Sequence, residues 1–151
     1  MTKARARPAT EALEIVREII RRAGHEIRNA LNGVAVNVEV VRSRVTHEVS
    51  TKDVVSFAER AASQVGETSA LTDGLLALVS SVLAAQSEGT LKAGRGGSAG
   101  TRIELMIYGD RAPILVSDIK RLADRIGVGV EQRADSVILT ILPEGKSHSK
   151  D

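Results

Sequence analysis

The side chains best suited to chemistry in this sequence cluster in one run, AGHEIRNALNGVAV, residues 23–36. His25 carries an imidazole, the side chain whose ordinary charge change falls near neutral pH, so it can act as a nucleophile or a proton carrier. Glu26 is placed to hydrogen-bond the imidazole or tune its basicity, against the simpler reading of a solvated carboxylate. Arg28 can neutralise an anionic group or pair with nearby glutamates. Asn29 stands one helical turn beyond His25, close enough to share a small ligand or a water molecule with it. Arg22, Asn32 and the apolar Val36 are expected on the same side. From geometry alone a solitary histidine on a helix most often lies on a solvated face, and exposed valines are common.

Other chemistries find less support. No second histidine or carboxylate falls three or four residues from His25 on the same face, which weakens a metal-site reading. His47 is expected in a turn and His148 in a polar tail. A Ser-His-Asp arrangement cannot be argued from spacing. Cysteine is absent, which removes disulfides, thiolate ligands and thiol catalysis.

The elements that must carry these residues are long helices. Leu13, Val16, Ile20, Ala23, Ile27, Leu31, Val34, Val38, Val41 and Val45 recur in steps of three and four, the mark of one amphipathic helix with a single buried stripe. Thr10 is expected as its N-cap, after Pro8. With Ile27 at the stripe's centre, His25 lies roughly 160° around the helix, so it is displayed and not buried. The segment THEVSTKD breaks the pattern, with Ser50 or Thr51 as cap of the next helix and Asp53 favouring its positive end. Val54, Phe57, Ala61, Val65, Thr68, Leu71, Leu75, Leu78 and Val82 continue as a second helix. A lone hairpin of two such helices leaves a flank of each wet. Pairing two hairpins into a four-helix bundle covers them, so a homodimer is expected in preference to docking on the C-terminal segment.

The whole is expected to be an α+β protein in three parts: a helical hairpin at 10–87, a Gly/Ser-rich linker at 88–100, and a small domain at 101–143. In the last, TRIELMIYG alternates as a strand. APILVSDIKRLADRIG has helical spacing with Gly127 as a stop, and VGVEQRADSVILTILP reads as two strands turning at Ala134–Asp135. So small a piece buries little surface and is expected to lean on the helices.

Composition narrows the function. Phe57 and Tyr108 are the only aromatics, which argues against single-stranded nucleic acid, a ligand that needs stacking platforms. Net charge is +2 with both signs interspersed, so no nucleic-acid partner is expected, and the basic start TKARARP reads as a frayed terminus. The stretch GLLALVSSVLAA falls short of a membrane span and no secretory signal opens the chain, so no membrane association and a cytoplasmic location are expected.

HEIRNALNG, His25 to Gly33, resembles the H-box of two-component sensor histidine kinases, H-E-hydrophobic-R/K-x-P-L-x-x-I. His25, Glu26, Arg28 and Leu31 match; Ala30 stands where that family has a proline. The resemblance extends over 10–87, as a dimerisation and histidine-phosphotransfer hairpin, and more faintly over SDIKRLADRIGVGVEQRADSVILTILP, which is similar to the end of that family's ATP-binding domain. Asparagine-box and Asp-x-Gly-x-Gly motifs are missing, YGD having the wrong order. The resemblance therefore implies a histidine phosphotransfer protein with a degenerate ATP-binding domain. It would exchange a phosphoryl group between His25 and an aspartate of a response-regulator receiver domain, with no ATP-dependent autokinase activity. It implies no cofactor of its own, with Mg²⁺ brought by the receiver. His25, Glu26 and Asn29 would be catalytic, and Arg22, Arg28, Asn32 and Val36 would touch the partner. Glu26 to Asn29 also matches the E-x-x-N/T pattern that in this family orients water for receiver dephosphorylation. A receiver phosphatase and a non-catalytic dimeric adaptor are the alternatives.

Overall fold

Helices α1 (Ala6–Thr46) and α2 (Thr51–Ser87) are followed by strands β1 (Lys92–Arg95) and β2 (Thr101–Met106), helix α3 (Ala112–Arg125), and strands β3 (Gly129–Gln132) and β4 (Ser136–Ile141). The computed structural model describes residues 6–47, 50–95, 100–107, 109 and 112–141. Tyr108, Asp110, His148 and the basic start before Ala6 lie outside the described residues, as does the end of the expected small domain beyond Ile141. The architecture is mixed α+β: two long helices and a small sheet carrying one helix.

Helix α1 begins at Ala6, four residues before the expected cap at Thr10. Pro8 falls in its first turn, where the missing N–H would have had no intrahelical acceptor. Ser50 stands at the N-cap of α2 but makes no cap hydrogen bond through its side chain. Its carbonyl accepts the Asp53 amide at 3.1 Å. The turn is tied by Arg44 donating to the Asp53 carboxylate at 3.0 Å. The guanidinium carbons of Arg44 and Arg60 lie 5.0 and 4.1 Å from the Phe57 ring centroid, a cation–π sandwich near the hairpin tip. Midway along, Gln64 of α2 lies against Gly33 of α1, where a Cβ would collide with its amide. The same amide oxygen accepts a hydrogen bond from Asn37 at 2.8 Å.

The strands form one antiparallel sheet in the order β1-β2-β4-β3. Ile103 pairs with Leu139 and Leu105 with Val137, so these four side chains share one face, and all are buried. They meet Ile119, Leu122 and Ala123 of α3, the Leu71–Ala85 half of α2 and the Ala12–Ala23 half of α1 in one continuous core. The small domain thus docks within the chain, as its size required. Gly127, with φ of 68°, ends α3 as expected. Residues 92–95, read from sequence as linker, form edge strand β1, whose pairing with β2 the Gly-rich composition concealed.

The single buried stripe expected on α1 is corrected. Val16 and Ala23 are buried, but the core line runs through Ala12, Ile15 and Ile19, while Leu13, Ile20, Leu31, Val38 and Val45 are 40–62% exposed. The apolar sector of α1 is broader than its neighbours cover, and the sequence spacing picked its outer edge. Helix α2 does the same with Val65, Leu76 and Leu83, each at least half exposed. Ile114, one of the apolar residues at helical spacing in α3, is also exposed. Helix α2 as a whole is long and apolar enough to cross a membrane by length and composition, with mean hydropathy 1.5 over eighteen residues. Its inward positions are those packed in the core just described.

Candidate functional site

Five turns into α1, His25 is exposed, two residues beyond the fully buried Ala23. At 100° per residue the two side chains leave the helix roughly 160° apart. With Ala23 turned inward, His25 turns outward. Asn29, Asn32 and Val36 follow at steps of four, three and four, and all are exposed, Val36 at 63%. The outward line expected from sequence is therefore present, as a strip that neither α2 nor the small domain covers.

Guanidinium groups flank the histidine. Arg22 precedes it by three residues and Arg28 follows it by three, and Arg21 precedes it by four, so all three fall on its side of the helix. Arg28 is exposed. Arg21 and Arg22 are organised by Glu18. Arg21 donates from Nε and Nη2 to the two carboxylate oxygens at 2.8 Å each, and Arg22 donates from Nε to Oε1 at 2.8 Å. The hydrogen bonds from Arg21, then those from Arg22, hold the Glu18 carboxyl down at about 2, against a small opposing effect of burial. The result is a basic rim beside the imidazole with two of its cations held by one carboxylate.

Glu26 takes a different direction. Its carboxylate lies 3.7 Å from Nε of Arg125, the last residue of α3, and Nη2 of Arg125 is 3.4 Å from Glu67 on α2. One guanidinium thus joins three helices, and the Glu26 carboxylate is paired with the small domain. Arg121 and Arg125 line a shallow cleft of about 160 Å³ with Glu67, Ala70 and Leu71. Among the described residues, no hydrogen bond or ion pair engages His25 itself.

Of the site residues read from sequence, the structure brings His25, Asn29, Asn32, Val36, Arg22 and Arg28 onto one exposed side of α1. It sets Glu26 at the border of that side. Arg21 was missed, although its spacing four residues before His25 was available. Arg125 was missed because its approach is tertiary, a hundred residues away in the chain, with no local signal.

Other concavities have different chemistry. A cleft of about 290 Å³ between α1 and the sheet edge is lined by Glu11, Glu14 and the Arg-paired Glu18, with Ile15, Gly94, Thr101 and Ile141. Among the described residues no group of three His, Cys, Asp or Glu side chains is disposed to hold a metal ion. Comparison with protein-family models and with curated proteins finds no match to this chain.

Proposed function

We propose that the chain is a histidine phosphotransfer protein that exchanges a phosphoryl group with an aspartate of a receiver domain. The observation that carries this reading is the exposed His25 on a rigid helix, turned from the core and rimmed by Arg21, Arg22 and Arg28. Phosphoryl transfer needs an in-line nucleophile and charge neutralisation more than covalent machinery. A neutral ring nitrogen of His25 attacks phosphorus. The bond to the aspartyl oxygen breaks and leaves a carboxylate, and the imidazolium sheds the proton on its other nitrogen to water. The guanidinium rim stabilises the charge on the transferring group, and the exposed strip from Asn29 to Val36 offers a docking track. In this reading Mg²⁺ comes with the receiver, and the phosphate comes from a partner and not from ATP.

The active form in this reading is a cytoplasmic homodimer. Leu13, Ile20, Leu31, Val38 and Val45 repeat along α1 beside the line that packs on α2, and Val65, Leu76 and Leu83 do so on α2. A second hairpin laid on this seam, about 48 Å long at 1.5 Å per residue, completes a four-helix bundle. His25 stays outside it, since it leaves α1 roughly 140° from Ile20.

The test is transfer from a phosphorylated receiver, with Mg²⁺, to wild type and His25→Ala. Phosphate on wild type and none on the variant is the expected result. Wild type without phosphohistidine refutes the reading. Loss of receiver phosphate that survives His25→Ala and needs Asn29 would make the protein a receiver phosphatase, and binding alone would make it an adaptor.

A further inference from the structure

We infer that Arg125 makes the small domain a working part of the His25 site, by holding the Glu26 carboxylate away from the place a phosphoryl group must occupy. This rests on the phosphotransfer reading above. Adjacent residues on a helix diverge by 100°, so Glu26 does not face His25 directly, but its long side chain can fold toward either neighbour. The carboxylate lies 3.7 Å from the Arg125 guanidinium, which is also 3.4 Å from Glu67. Arg125 is thus the cation shared by two carboxylates on two different helices.

Without it, Glu26 and Glu67 lose the group that draws them to α3. Glu26, one residue from His25, then adds negative charge where a dianionic phosphoryl group arrives. Arg21 and Arg22 are held to Glu18 at 2.8 Å and do not turn to pair the Glu26 carboxylate, so its charge weakens the field of the rim. Arg125 is therefore a positioning residue. It does not touch the reacting atoms, and acts by fixing where a neighbouring charge sits. Its position is set in turn by the docking of α3 on α2, where the Asp118 carbonyl and Leu122 come so close to Gly74 that a Cβ there would force α3 to shift. Small-domain docking and His25 reactivity are coupled through this one side chain.

The experiment uses phosphoramidate, a small phosphoryl donor to histidine, with the full chain, and follows phosphohistidine on His25 by phosphorus NMR. Arg125→Ala slows phosphorylation by about threefold to tenfold, the scale of one screened charge near a dianion. Arg125→Lys, which keeps the cation, recovers most of the rate. Glu26→Gln in the Arg125→Ala background restores it, a rescue that a purely structural role for Arg125 does not produce. Where Arg125→Ala fails to fold, Arg125→Gln carries the same comparison. An Arg125→Ala rate equal to wild type, or a double variant as slow as the single, overturns the inference and leaves the proposed function standing. Wild type that gains no phosphate on His25 overturns both.

Discussion

Gly74→Ala offers the sharpest check on how the two halves of the molecule are joined. A Cβ at this position would sit 2.6 Å from the Asp118 carbonyl oxygen and 2.7 Å from the Leu122 Cβ. Ordinary contacts for such atoms are about 3.5–4 Å, so α3 must retreat by about 1 Å. The oxygen belongs to the α3 backbone and Leu122 is 1% exposed, so neither can rotate aside. Overpacking of this kind costs about 1–3 kcal/mol. Alanine returns about 1 kcal/mol of helix propensity, which leaves a net loss of about 0–2 kcal/mol. Gly66 is the control: it lies in the same helix, a methyl group added there would meet nothing within 4 Å, and so it gains the propensity term alone. Urea unfolding of both variants should therefore separate them by about 1–3 kcal/mol, the difference that cancels propensity. Equal stabilisation by the two substitutions would sink the argument that Gly74 is where α2 and α3 close on each other.

Three further outcomes follow from features already described. The Glu18 carboxyl is held below its ordinary value, so its clamp stabilises fully above about pH 4.5 and is lost as pH falls toward about 2. Because the ion pairs are partly exposed, wild type should exceed Glu18→Gln by less than about 1 kcal/mol in urea melts at pH 7, with the gap closing in acid. A gap that widens in acid would contradict the sign. Leu31→Glu with Val38→Glu should turn a dimer into a monomer by light scattering while helicity persists, and an unchanged mass would discount the apolar seam as the interface. Leu139→Ala, at a position 1% exposed, should cost about 2–5 kcal/mol and lower the unfolding midpoint of hairpin and sheet together. Two separate transitions would mean that the core is not shared.

The parts of this fold that announced themselves in sequence are those with a strong local period. The two helices, the β2 alternation at Ile103, Leu105 and Ile107, and the Gly127 stop each depend on neighbours a few residues away. What escaped depends on distant partners. Ile20 and Ile19 are both apolar, and only packing against the distant parts of the shared core decides that Ile19 is the buried one. Lys92–Arg95 becomes a strand because β2 offers it an edge, against its own glycine. At the site, the outward turn of His25 followed from helical phase and survived the shift in the stripe's centre, because His25 still leaves the helix roughly 120° from the buried Ile19. The destination of Glu26 did not follow, since its partner lies on another helix.

The order of strands has a consequence for how the chain must fold during synthesis. Strand β4 is the last described element to be made, yet it sits inside the sheet, between β2 and β3. Val137 and Leu139 fill the core against α1 residues that left the ribosome more than a hundred residues earlier. The hairpin can form early from local contacts, but the sheet cannot close over the shared core until β4, ending at Ile141, has been made. Contacts of such long sequence separation close slowly, and the nascent hairpin carries an open apolar flank throughout. A stop codon just before Ser136 would therefore release a helical fragment that lacks Val137 and Leu139 and leaves the apolar side they cover open to aggregation.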